Sequence, residues 1–136
     1  MIYLLPNQAN QSVFVTLREA SYEFTTEAES YLLHLSKVDG SEDFYVIPVV
    51  LNNNERYTQL RIGTHVNAAT SGNILITESG EYAYTIYGQI GTTNLNPDNV
   101  AVIGVFEIGT CWVADDYTGY YFTDSPTIPN SFVDGQ

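Results

Sequence analysis

Apolar residues recur at every second position through most of the chain, and no window of useful length repeats them at helical spacing with caps around it. Period two is the spacing of side chains along one face of a β-strand, so the pattern predicts an all-β protein. "SVFVTLRE" sets Val13, Val15 and Leu17 on one face. "SYLLHLSK" sets Tyr31, Leu33 and Leu35 on one face, with Leu32, His34 and Ser36 on the other. Both are expected to be half-buried antiparallel strands. "DFYVIPVVL" is β-branched and aromatic but carries Pro48, which has no N–H for a ladder, so an edge position or a bend is expected there.

After the polar turn "NNNE", the imperfect alternation of Tyr57, Leu60 and Ile62 in "RYTQLRIG" points to a bulge. "THVNAATSGNILITESG" combines small residues, two glycines and a short apolar "ILI", and is expected to be a loop with one short strand. In "EYAYTIYGQ", Tyr82, Tyr84 and Ile86 take one face and Ala83, Thr85 and Tyr87 the other. "NVAVIGVFEIGTCWVA" is a longer apolar run with Gly104 and Gly109 inside it, predicting a strand buried on both sides or bent at a glycine.

Strands at turn spacings of about 8 to 15 residues predict an antiparallel β-sandwich of immunoglobulin-like type. A small β-barrel is the alternative. From Asp115 onward the chain is aromatic, proline-containing and turn-rich, which predicts an extended C-terminal arm. The expected organisation is one domain with two tails: a sandwich within residues 1–114 and an arm over 115–136. Tyr117, Tyr120, Tyr121, Phe122, Ile128 and Phe132 give that arm too much apolar area to leave in water, while Gly119, Pro126 and Pro129 oppose a helix. These six residues are the expected partner-binding set. The alternative is that they fold back as a final strand of the chain's own sandwich.

A length of 136 residues with 44% hydrophobic content suits a single core. Sixteen acidic residues against four basic ones, Arg18, Lys37, Arg56 and Arg61, give a net charge of -12. Such a chain repels phosphate backbones and anionic lipid, so neither nucleic acid nor membrane is an expected partner. Charged residues make up only 15% of the chain, against about a quarter in ordinary domains. The polar surface therefore comes from Asn, Thr, Ser, Gln and Tyr, an exterior suited to lying against other proteins. The lone Cys111, within "GTCWV", is expected to be a buried strand residue. "MIYLLPNQANQ" has no basic region and breaks at Pro6, so a soluble protein made in a cytoplasm is expected.

Candidate chemistry is sparse. His34 sits in an alternating strand and His65 in a loop, neither beside a serine or cysteine in a nucleophile elbow, and two such histidines give no zinc signature. Glu107, within "GVFEIGT", either reaches solvent from an edge or pairs with a basic residue. "NLNPDN" spaces Asn94, Asn96 and Asp98 like calcium ligands but lacks the glycine and distal glutamate of such a loop. A turn held by Asn and Asp side chains around Pro97 is the expectation. No glycine-rich phosphate cradle is present. No catalytic residue, metal or cofactor is expected.

Two stretches carry a resemblance. "ERYTQLRI", followed by "SGEYAYTIYGQIGTTNLNPDNVAVIGVFEIG", presents an Arg-Tyr pair opening one strand, a Gly-x-Tyr-x-Tyr-x-Ile-Tyr strand, an Asn/Pro/Asp loop, and a Val-rich strand with a glutamate. This pattern, over roughly 43–113, resembles small virion proteins of tailed phages infecting Bacteroidetes, including crAss-like phages. The resemblance implies a non-enzymatic virion structural protein, an auxiliary or decoration protein of the capsid, with capsid or other virion proteins as partners and a homo-oligomer possible. A neck or tail component is the alternative position. It also implies a core of Tyr82, Tyr84, Ile86, Val102, Phe106 and Trp112, with Glu107 capping or paired to Arg56 or Arg61. The competing class is a carbohydrate-binding module using Tyr117, Tyr120 and Tyr121 as its platform.

Overall fold

The structure, a computed structural model, describes residues 1–17, 23–54 and 56–114. Eight strands lie among them: β1 (Ile2–Leu4), β2 (Gln11–Val15), β3 (Ser30–Lys37), β4 (Asp43–Val46), β5 (Val49–Asn53), β6 (Thr58–Ile62), β7 (Gly80–Gln89) and β8 (Val102–Val113). They form two open sheets, of order β1-β8-β7-β3-β4 and β2-β6-β5. The described residues contain no α-helix, so the fold is all-β, as the period-two pattern predicts.

Alternation decides which side chains go inside. β6 buries Thr58, Leu60 and Ile62 and turns Gln59 and Arg61 outward, and β7 buries Tyr82, Tyr84 and Ile86. Their inner faces join Val13, Val15, Leu33 and Leu35 in one core drawn from both sheets. Each such fully buried aliphatic side chain contributes about 1.5–3 kcal/mol of transfer free energy.

Pro48 acts where its missing N–H predicts. β4 ends at Val46 and β5 starts at Val49, on the edges of different sheets. The ladder stops at Ile47 and Pro48, and the chain passes from the edge of one sheet to the edge of the other. The bulge expected near Tyr57 lies on the partner strand instead. Val50 faces Leu60 and Asn52 faces Gln59, leaving Leu51 as the extra residue of β5.

β8 corrects two further expectations. Ile86 pairs with Glu107 and Tyr87 with Val105, so Phe106 is an extra residue, and Ile103 is a second one between Gly104 and Val102. A bulge reverses the alternation beyond it. Phe106 turns inward, 6% exposed, while Cys111 and Val113 are fully buried and Trp112 between them is 46% exposed. Trp112 is therefore not a core residue, although its even spacing from Phe106 predicts one. Val102 is half-buried and lies outside the core, where Ile103 packs in its place.

The first residues are not a tail. β1 pairs in parallel with β8, Ile2 beside Cys111 and Leu4 beside Val113, and both Ile2 and Leu4 are buried. The larger sheet is thus mixed, not wholly antiparallel. The "ILI" segment is not a strand either. Ile74 and Ile76 are buried, but their N–H groups only donate to the carbonyls of Gly63 and Thr64, at 2.9 and 3.1 Å. These bonds, with those from the Asn7 N–H to the Ile76 carbonyl and from the Leu75 N–H to Asn67 Oδ1, hold the segment in place without building a ladder.

Three glycines of the β7/β8 pair are seats for rings. A Cβ on Gly88 would lie 2.5 Å from the Phe106 ring, and one on Gly109 2.7 Å from the ring of Tyr84 directly across the ladder. A ring laid over an opposing glycine fills the space left by its missing side chain. Phe24 lies over Gly104 in the same way and stacks on Phe106 at 5.0 Å. Gly88→Ala is expected to displace Phe106 and destabilise the fold by about 1–3 kcal/mol. Urea unfolding of this variant checks it; a change within about 0.5 kcal/mol would show that the ring has room to move.

Candidate functional site

The register fixes what the outer face of the five-stranded sheet presents. Reading across the strands, one row is Tyr3, Trp112 and Glu81, and the next is Thr110, Ala83, Ser36 and Asp43. The third is Ile108, Thr85, His34 and Tyr45, and the fourth is Val105, Tyr87 and Leu32, the last of these fully buried. The β1/β8 side of this face is apolar and open: Tyr3 is 68% exposed, Ile108 70%, Val105 49% and Trp112 46%. The Phe106 bulge is the cause, because it shifts Ile108, Thr110 and Trp112 from the inner to the outer parity.

The face is also without cations. Its charged positions are Glu81 and Asp43, with His34 beside the latter, and no lysine or arginine occupies these strand positions. Lys37, at the end of β3, places its ammonium on the Glu78 carboxylate at 2.5 Å. Arg61 belongs to the other sheet.

At the β3/β4 edge His34 Nε2 lies 2.9 Å from Asp43 Oδ1, and its ring stacks on Tyr45 at 4.4 Å. The hydrogen bonds from His34 and then Ser36 hold the Asp43 carboxyl below the usual carboxylate range. The order of contacts matters. Asp43 stands between serine and histidine, so the hydroxyl proton is directed at the carboxylate and not at an imidazole base, the reverse of a nucleophilic triad.

Glu107 has neither of its expected partners. Its Oε2 accepts a 2.5 Å bond from the Tyr84 hydroxyl and its Oε1 a 3.3 Å bond from the Thr16 N–H, not a contact from Arg56 or Arg61. Tyr84 is on the larger sheet and Thr16 directly follows β2 of the smaller one, so this carboxylate ties the sheets together. Burial, followed by the bond to Glu107, pushes the Tyr84 phenol far up. Burial likewise pushes the Cys111 thiol up to about 12, which keeps it protonated and unreactive, in line with the expected buried strand residue.

The "NLNPDN" loop is stitched by its own side chains. Asn94 Oδ1 accepts from the Asn96 N–H at 3.0 Å, Asn96 Oδ1 from Asp98 at 2.9 Å, and Asn99 Oδ1 from Ala101 at 2.8 Å. The Asn94 amide donates to the buried Gln89 side chain at 2.9 Å. Two of the three oxygens spaced like metal ligands, those of Asn94 and Asn96, are thus occupied in building turns. Among the described residues no three His, Cys, Asp or Glu side chains gather as a metal site, and no helix is long and apolar enough to cross a membrane.

No family model, curated protein or solved structure matches the chain. Tyr117, Tyr120, Tyr121, Phe122, Ile128 and Phe132, the partner-binding set expected from the sequence, lie outside the described residues. Tyr3, Val105, Ile108 and Trp112 form the exposed set that sequence reasoning misses. One signal was available: Phe106 and Cys111 are both apolar strand residues at odd separation, and an unbroken strand cannot bury both on one face.

Proposed function

We propose that the protein is a non-enzymatic binding module of immunoglobulin-like type that docks on another protein through the outer face of its five-stranded sheet. The exposed apolar strip of Tyr3, Trp112, Ile108 and Val105 carries this reading. Apolar area of this kind on one face marks a surface that another protein covers. The acidic, cation-free surroundings suit a partner patch that is apolar with a basic rim.

Three features support the immunoglobulin-like type. Taken in chain order, β2 to β8 fall into the B-E-D and G-F-C-C′ groupings of that fold. Tyr82, near the start of β7, donates its hydroxyl to the Glu78 carbonyl at 3.2 Å, the arrangement of a tyrosine corner. Two residues on, where antibody domains carry the cysteine that bridges to strand B, stands Tyr84, linked through Glu107 to the residue after β2. A polar tie replaces the covalent one.

The resemblance of residues 43–113 to phage virion proteins supplies the partner class: a capsid shell protein, with this chain as an auxiliary or decoration protein. Cross-linking and mass spectrometry of purified particles test it. Cross-links from the Val105–Trp112 face to a shell protein, at a copy number in roughly the hundreds, are expected of decoration, whereas a single ring's worth means neck or tail. Particles lacking the chain, or a glycan array bound through Trp112, would overturn it.

A further inference from the structure

We propose that the polar cleft at the end of β6 is a binding site for a small oxyanion, the group shared by phosphate and carboxylate ligands. The cleft holds about 300 Å³ and is lined by Asn10, Arg61, Gly63, His65, Ser71 and Asn73, together with Ala9 and Gly72. It lies on the smaller sheet, away from the docking face, and does not depend on that reading.

Its composition runs against that of the molecule. The chain has sixteen acidic residues, four basic ones and two histidines, yet this cleft contains one arginine, one histidine and no carboxylate. Arg61 enters no ion pair with a described residue, whereas Lys37 is held by Glu78. Arg61 takes an outward position on β6, between the buried Leu60 and Ile62, so its guanidinium is exposed to a ligand.

The floor is Gly63. A Cβ there would lie 2.1 Å from Asn73 Oδ1 and 3.1 Å from His65 Nδ1, so only the missing side chain lets these two polar atoms approach it. His65 Nδ1 is buried and has no hydrogen-bond partner. A buried ring nitrogen without a partner is costly, and a ligand that accepts a hydrogen bond from its N–H form removes that cost. An oxyanion meets both needs: acceptor oxygens for the imidazole N–H and negative charge for the guanidinium. A cation would meet Arg61 with like charge, and an apolar ligand would leave the polar lining unpaired. The net charge of -12 repels anions at long range, so binding here rests on short contacts and favours small, compact groups.

The test is a pair of NMR titrations of the full ¹⁵N-labelled chain, one with sodium phosphate and one with sodium acetate, sodium chloride holding the ionic strength constant. Saturable shifts of the Gly63, His65 and Asn73 amides are expected, with half-saturation on the order of 1 mM. Saturation by only one of the two salts supports the site and identifies the group it takes. Arg61→Gln, at an exposed strand position, should weaken binding roughly tenfold or more with no change in melting temperature. His65→Gln should weaken it as well, and His34→Gln, on the other sheet, should leave it unchanged. Shifts that stay linear, that chloride reproduces, or that saturate equally in Arg61→Gln would show that the cleft holds only water.

Discussion

Replacing Phe106 by alanine is expected to lower stability by about 3–5 kcal/mol, while the same change at Trp112 is expected to cost less than about 1 kcal/mol. Trp112 is the larger ring, and judged by size alone it would be the more damaging loss. The bulge reverses that order. Phe106 is 6% exposed, stacks on Phe24, meets Tyr31 edge-on at 5.7 Å and covers Gly88. Its removal leaves a cavity among groups that cannot all collapse into it, whereas Trp112 is 46% exposed beside a still more open Tyr3. Urea unfolding of the two variants side by side checks the order. A Trp112→Ala cost above that of Phe106→Ala would mean that β8 is regular and the bulge assignment wrong.

Stability should hold to about pH 9 and then fall steeply. Burial raises the Cys111 thiol from 9.0 to about 12 and the Tyr82 hydroxyl from 10.0 to about 12, and Tyr84 is raised as well. These groups are neutral when protonated, so a raised value means that the folded state keeps a proton the unfolded chain has already lost. In that window the native state binds more protons, and the free energy of unfolding decreases with pH. The contribution is fully present below the unfolded values. Its loss begins near 9.0 for the thiol and 10.0 for the phenols and is complete only above their folded values. At about 1.36 kcal/mol per pKa unit, Cys111 and Tyr82 each withdraw on the order of 2–4 kcal/mol by about pH 12. Urea midpoints followed from pH 7 upward test this. Cys111→Ala should move the onset about one unit higher, to where the tyrosines begin. An onset that does not move would mean that the thiol titrates alike in both states.

Where a segment of the chain is a regular strand, its face was legible in the sequence. Val13, Val15 and Leu17, then Leu33 and Leu35, then Tyr82, Tyr84 and Ile86 are buried as their spacing predicts, and Pro48 breaks the chain between sheets. Period two carries that information because each residue's side follows from its neighbour's. The reading fails where one residue is inserted, since a bulge changes parity without changing composition. Hence Trp112 was placed inside, and the open strip of Tyr3, Ile108 and Trp112 stayed hidden. The pairing of β1 with β8 joins the two ends of the described chain, and three residues before a proline hold no trace of it. Glu107 escaped for another reason. Its partner is a tyrosine brought opposite by the ladder, and a charge-based reading looks only for arginine or lysine.

The proposal that the outer face of the five-stranded sheet is the working surface is tested most directly by changing that face without touching the core. Ile108→Asp combined with Trp112→Ala removes apolar area and adds an acid at two exposed positions. The measurement is co-sedimentation of the purified variant and of the unaltered chain with capsids that lack the protein. With equal melting temperatures, the variant's apparent affinity is expected to fall roughly a hundredfold or more. A variant that binds the capsid as tightly as the unaltered chain would contradict it.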